Sequence, residues 1–299
     1  MPSTHHTAMG LSSSSSATIL VALVLMSFLY VCGWLRMQRA SASAIPGWRL
    51  VSFIFGMSLV WAALGSPLVA YDRDLLTVHM IQHLLLMTFA PALILLGEPL
   101  LAFWHGLPRF GKIVLGSLFR LSLVQRFAHK LSRPALCWSV SALTLVGWHV
   151  PALFILGMHS ELCHSVEQAS FLGAGFLFWW PVVQPWPSVS IGPQWSTLLY
   201  LFLATLPCDI LSGFLLFSDR VAYPVYFSMP RHFGFSVLED QQCAAALMWT
   251  CVTLVYLVPA AILSTRLLSP RSFYRGDLAQ SEVRGSSTPP GDPQHLEIV

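Results

Sequence analysis

The chain has 299 residues, 55% of them hydrophobic and only 10% charged, against about 45–50% and about 25% in soluble domains. A mean hydropathy of +0.66, gathered in long apolar runs, excludes a water-soluble fold, a coiled coil and a secreted disulfide scaffold. The formal charge of +3, from 16 basic and 13 acidic residues, is too balanced to advertise nucleic acid or another acidic partner.

Seven apolar stretches are long enough to cross a hydrocarbon core, which takes about 20 helical residues. They run from Ala17 to Leu35, Trp48 to Ser66, Leu76 to Leu96, Ala135 to Leu156, Ser165 to Trp186, Trp195 to Phe217 and Gln241 to Leu263. Without period-2 alternation they predict an all-α integral membrane protein, a seven-transmembrane-helix bundle in the lipid bilayer. The predicted membrane domain is 17–264, between a disordered segment 1–16 and a disordered tail 265–299. Thirteen of the 16 Lys and Arg residues follow the first, third and seventh spans, and only Arg73, Arg220 and Arg231 lie opposite. The positive-inside rule then sets the N-terminus outside and the C-terminus in the cytoplasm. The first span is read as retained rather than cleaved: Ala42-Ser43-Ala44 resembles a processing site, but no Lys or Arg precedes the apolar run, and Arg36 and Arg39 lie between the run and that site. Between the third and fourth spans, Lys112 to Leu131 mixes apolar and basic residues, and reads either as an interfacial helix or as a solvated loop.

Ionisable side chains within a bilayer are costly and are functional candidates by default. Nearly all fall at the outer ends of the spans. The third span opens with His79-Met80-Ile81-Gln82-His83 and continues to Met87; residues 79, 83 and 87 share one helical face, descending about 12 Å. The fourth span brings His149, the following connection Met158 and His159, the fifth span His164 and Glu167 at i, i+3, the sixth Cys208 and Asp209, and the seventh Asp240 with Met248 two turns deeper. Imidazole, thioether and thiolate donors suit copper, Cu(I) above all, and carboxylates such as Glu167 and Asp240 suit the orientation of imidazoles. Singly, His149 or Asp209 reads equally as a cap or interhelical hydrogen-bond partner, and the methionines as packing. His79 and His83 together are the stronger signal, because imidazoles four residues apart can share one metal. No Cys-x-x-Cys pair is present, which excludes a zinc ribbon or thioredoxin-type motif. Cys163 and Cys243, both expected near the outer face, are open to pairing, metal binding or burial.

The stretches His79 to Leu86, Trp148-His149-Val150-Pro151, His164-Ser165-Val166-Glu167 with Phe178-Trp179-Trp180-Pro181, and Asp240-Gln241-Gln242 with Met248-Trp249 resemble the multi-span CtaG family of assembly factors for caa3-type cytochrome c oxidase. The likeness covers roughly Leu50 to Leu263. It implies a multi-pass protein of the bacterial inner membrane, not an enzyme, that assists copper insertion into the catalytic subunit of the oxidase. One departure stands out: Gln168 occupies the place where the family pattern carries a second His after Glu167.

The expected metal set is His79, His83 and His164, with Met80, Met87, His149, His159 and Met248 as soft or exchanging partners and Glu167 and Asp240 orienting them. Two rivals belong to other classes. One is a haem-binding electron carrier using His83 with His149 or His164; the other is a non-metal assembly scaffold with the histidines as interhelical hydrogen bonds. A metallohydrolase is disfavoured, because Met80 stands where the His-Glu-x-x-His motif needs its Glu.

Overall fold

The computed structural model describes residues 4–40, 46–108, 110–112, 116–117, 133–184, 194–230 and 234–268, and among these it contains helices and no strand. The helices are α1 (Thr4–Ala40), α2 (Gly47–Leu64), α3 (Leu76–Leu84), α4 (Ala90–Leu96), α5 (Pro99–Gly106), α6 (Pro134–Trp148), α7 (Pro151–His159), α8 (Glu161–Val183), α9 (Gln194–Phe217) and α10 (Val237–Leu267).

Among the described residues, five helices are long and apolar enough to cross a membrane, six if the bent pair α6–α7 is one span. Two of the seven expected spans therefore differ from simple apolar rods. The fourth breaks by 73° after Trp148, because Pro151 biases Val150 to extended backbone (φ −65°, ψ 126°) and opens a new helix. The fifth, α8, carries Glu161, His164, Glu167 and Gln168 in its first turns and is too polar to qualify on composition. At the N-terminus, α1 begins at Thr4 and runs through the Ser-rich opening expected to be disordered; extension from a formed helix fixes one residue per added hydrogen bond and needs no new nucleus. At the other end α10 reaches Leu267, slightly past the expected tail boundary. Most of the Lys112–Leu131 stretch lies outside the described residues, as does 269–299.

The most buried of the candidate spans is α3 with its continuation into α4. Its apolar window is 67% buried, against 11% for the window of α1, so α1 faces lipid and α3 faces protein. Apolar side chains such as Phe28, Val51, Phe202, Ile210 and Phe214 are exposed, as a bilayer solvent requires. At one end Tyr30 donates to the Gly97 carbonyl (2.6 Å), Arg36 donates to the carbonyls of His105 and Gly106 at the C-terminus of α5, and Arg49 pairs with Glu98. At the other end lie the buried histidines His79, His83, His149 and His164 and the buried carboxylates of Asp72, Glu167 and Asp240.

Candidate metal centre

His79 and His83 sit one turn apart on α3, and two devices outside that helix hold it in position. From α10, 164 residues on, the Asp240 carboxylate accepts from the backbone N–H groups of Leu76 (2.7 Å) and Thr77 (3.1 Å), capping the first turn of α3. Below His83, one turn of π-helix spans Leu85–Phe89. Pro91 has no N–H to give and its ring crowds the Met87 carbonyl four residues back, so the helix widens and the Ala90 N–H reaches the Leu85 carbonyl. The widened turn packs on α8 at Gly175, where a Cβ would stand 2.5 Å from the Met87 carbonyl oxygen. That close approach, two helical turns along α8 from Glu167, brings the Glu167 carboxylate against both imidazoles.

The three donor atoms form a tight triangle. His79 Nε2 and His83 Nε2 are 2.8 Å apart; Glu167 Oε1 lies 3.5 Å from the first and 3.3 Å from the second. The circle through those three atoms has a radius of about 1.9 Å, so an ion slightly out of their plane reaches all three at the metal–ligand length of about 2.0–2.2 Å. All three residues are buried, and Glu167 Oε1 has no aligned hydrogen-bond partner. A buried carboxylate oxygen left this way is costly unless a cation faces it.

The other carboxylate oxygen is held. His164 Nδ1 is 3.2 Å from Glu167 Oε2 and its Nε2 is 3.0 Å from Asp72 Oδ2, an arrangement suited to the imidazolium, whose two ring nitrogens both donate. The Gln168 side-chain amide lies 2.8 Å from His164 Nε2 and beside an imidazolium would present its oxygen there, the atom of the amide that accepts. The residue that departs from the family pattern therefore touches His164 and not the triangle. Phe171 stacks on His83 (4.0 Å between ring centroids), Phe154 from α7 meets His79 edge-on (5.2 Å), and Gly157 of α7 lets the helix pass over Glu167 Oε2.

Beside His83 lies a small apolar cavity of about 40 Å³ between α3, α6, α8, α9 and α10, lined among others by Met80, Met87, His149, Cys208 and Met248. His149 Nδ1 bonds the Leu145 carbonyl (2.7 Å) and its Nε2 faces Met80 Sδ at 3.3 Å. Tyr223 donates to the His149 carbonyl (3.0 Å) across the break between α6 and α7.

The expected donor set is thus divided. Glu167, expected to orient imidazoles, sits in the triangle, whereas His164, expected as a ligand, bridges two carboxylates. Helical spacing made them neighbours without saying which faces α3. Met80, Met87, His149 and Met248 belong to the cavity. Asp240 orients a helix and no imidazole. His159 is exposed, bonded to the Ile155 carbonyl (2.8 Å), because the break at Val150 turns α7 and carries its last residue outward. Cys163 and Cys243 are free, Cys243 being exposed. Asp72, absent from the expected set, is buried; its one signal in the sequence is a carboxylate seven residues before His79.

The chain is 24% identical over 251 residues to the uncharacterized proteins Mb0105 of Mycobacterium bovis and MT0111 of Mycobacterium tuberculosis, covering 81% of this chain and 37% of each relative. It is 24% identical over 238 residues to the uncharacterized protein ML1998 of Mycobacterium leprae, covering 77% and 35%. The chain therefore spans little more than a third of the length of these relatives. No solved structure matches it. The family model described as cytochrome c oxidase caa3 assembly factor (Caa3_CtaG) matches residues 28–269, and the chain belongs to that family.

Proposed function

We propose that this protein binds copper at His79, His83 and Glu167, near the outer face of a bacterial inner membrane, and assists its insertion into the catalytic subunit of cytochrome c oxidase. The observation that carries the reading is the buried triangle of two imidazole nitrogens and one carboxylate oxygen, at ion-sized spacing and with Glu167 Oε1 unpartnered. Imidazole suits copper, and family membership supplies the oxidase context. The role is carriage by ligand exchange, not catalysis. His164 and Asp72 fix the carboxylate, as partners beyond the ligands do in metal sites generally. The bundle crosses the membrane seven times, α6–α7 and α8 included, with the N-terminus outside and the C-terminus in the cytoplasm.

The haem reading is less well supported. His83 Nε2 faces His79 and Glu167, His149 Nε2 faces Met80, and both nitrogens of His164 face carboxylates, so neither His83 with His149 nor His83 with His164 turns its Nε2 atoms to opposite sides of one iron.

The test is a strain carrying His79→Ala with His83→Ala. Oxidase polypeptides and haems remain at normal abundance, oxidase copper and activity fall, and added external copper restores activity in part by mass action. A scaffold predicts lost subunits that copper does not restore, and normal metallation in the double variant refutes copper delivery.

A further inference from the structure

The His149–Met80 contact poses a problem of donors. A backbone carbonyl only accepts, so the His149 nitrogen bonded to the Leu145 carbonyl, Nδ1, is the one that carries the proton. In the neutral ring Nε2 is then a bare lone pair, and it faces the thioether sulfur of Met80, also an acceptor, at 3.3 Å. Both residues are buried, His149 at 6% exposure and Met80 at 0%. Two lone pairs pointed at each other in an apolar cavity repel, and a soft cation between them removes the repulsion. The spacing fits one: with bonds of about 2.0 Å to nitrogen and about 2.3 Å to sulfur, a separation of 3.3 Å corresponds to an angle near ~100° at the metal. That is the angle of a three- or four-coordinate site, which needs further donors, and the same cavity is lined by three more sulfur-bearing residues, Met87, Met248 and Cys208.

We infer that the cavity is a second, distinct metal site for a soft monovalent cation of the Cu(I) class, built on His149 Nε2 and Met80 Sδ and completed by cavity sulfur. It differs in chemistry from the triangle, which offers nitrogen and oxygen alone, and thioether sulfur selects Cu(I) over zinc and the harder divalent ions. His83 joins the two: its Nε2 belongs to the triangle, it lines the cavity, and its ring centroid lies 6.3 Å from that of His149. Cu(I) passes between the sites by exchange of ligands, with no change of oxidation state. The identity of the cation rests on the copper reading above; the site itself rests on its own geometry.

The experiment loads the full-length, detergent-purified protein anaerobically with Cu(I) and records copper X-ray absorption alongside titration against a chromophoric Cu(I) chelator. Wild type takes up two equivalents, with sulfur in the copper shell. Met80→Leu, which conserves core volume, weakens one equivalent at least tenfold and diminishes the sulfur signal, while Glu167→Gln weakens the other and leaves sulfur intact. A wild-type spectrum without sulfur, or sulfur undiminished in Met80→Leu, overturns the cavity site. A single equivalent that carries sulfur and ignores Glu167→Gln upholds the cavity and refutes the triangle.

Discussion

Gly157→Ala separates the metal site from the fold. A Cβ at this position of α7 would stand 2.9 Å from Glu167 Oε2, whereas ordinary C···O contacts run at about 3.3–3.6 Å. The carboxylate must retreat by roughly 0.4–0.7 Å, yet His164 Nδ1 holds the same oxygen at 3.2 Å. A binding constellation tolerates displacements of about 0.5 Å, so the shift spoils the triangle without emptying it. The expected loss of copper affinity is about 10–100-fold, as for altered partners around other metal sites, or about 1.4–2.7 kcal/mol. Stability moves little, because a helical Gly→Ala exchange gains up to about 1 kcal/mol and the crowding costs a similar amount. Gly173→Ala on α8 is the matched control, since its Cβ would meet nothing within 4 Å. Chelator competition on purified protein gives the affinities, and thermal unfolding in the same detergent the stability. Copper affinity in Gly157→Ala equal to that of wild type and of Gly173→Ala, with the fold intact, refutes the placement of Glu167 among the ligands.

Asp240→Ala leaves the N–H groups of Leu76 and Thr77 without acceptors and is expected to destabilise the protein by about 1–3 kcal/mol, read as a lowered unfolding temperature; an unchanged temperature contradicts the capping role. His159→Ala is expected to be silent in both copper binding and stability, because the ring is exposed and bonds only its own helix; a loss of copper would reopen it as a ligand. Gln168→His restores the imidazole of the family pattern beside His164, away from the triangle, and is expected to leave copper stoichiometry unchanged when bound metal is measured; an extra equivalent refutes this.

How much of this was legible in the sequence depended on distance along the chain. Apolar runs disclosed the helices, and i, i+4 and i, i+3 spacing disclosed the His79–His83 and His164–Glu167 pairs, because a helix converts those spacings into contact whatever the tertiary fold. The roles of Glu167 and His164 were not legible, since spacing does not tell which of two neighbours turns towards another helix. Asp240 reaches α3 from 164 residues away, a long-range cap with no local pattern to read. Asp72 closes onto His164 across 92 residues, again with no local pattern to read. The break at Val150–Pro151 did have a local signal, because the residue before a proline leaves the helical region, and it carries His159 away from the site. The polarity that makes α8 fall short as an apolar span is the same polarity that builds the metal centre.

The most direct measurement is copper bound per protein in purified wild type and in the His79→Ala, His83→Ala double variant, after equal exposure to copper and removal of the excess. Besides any copper held in the cavity, wild type retains one equivalent that the double variant loses while remaining folded by thermal unfolding. Equal copper in the two proteins contradicts the assignment of the triangle as the copper site.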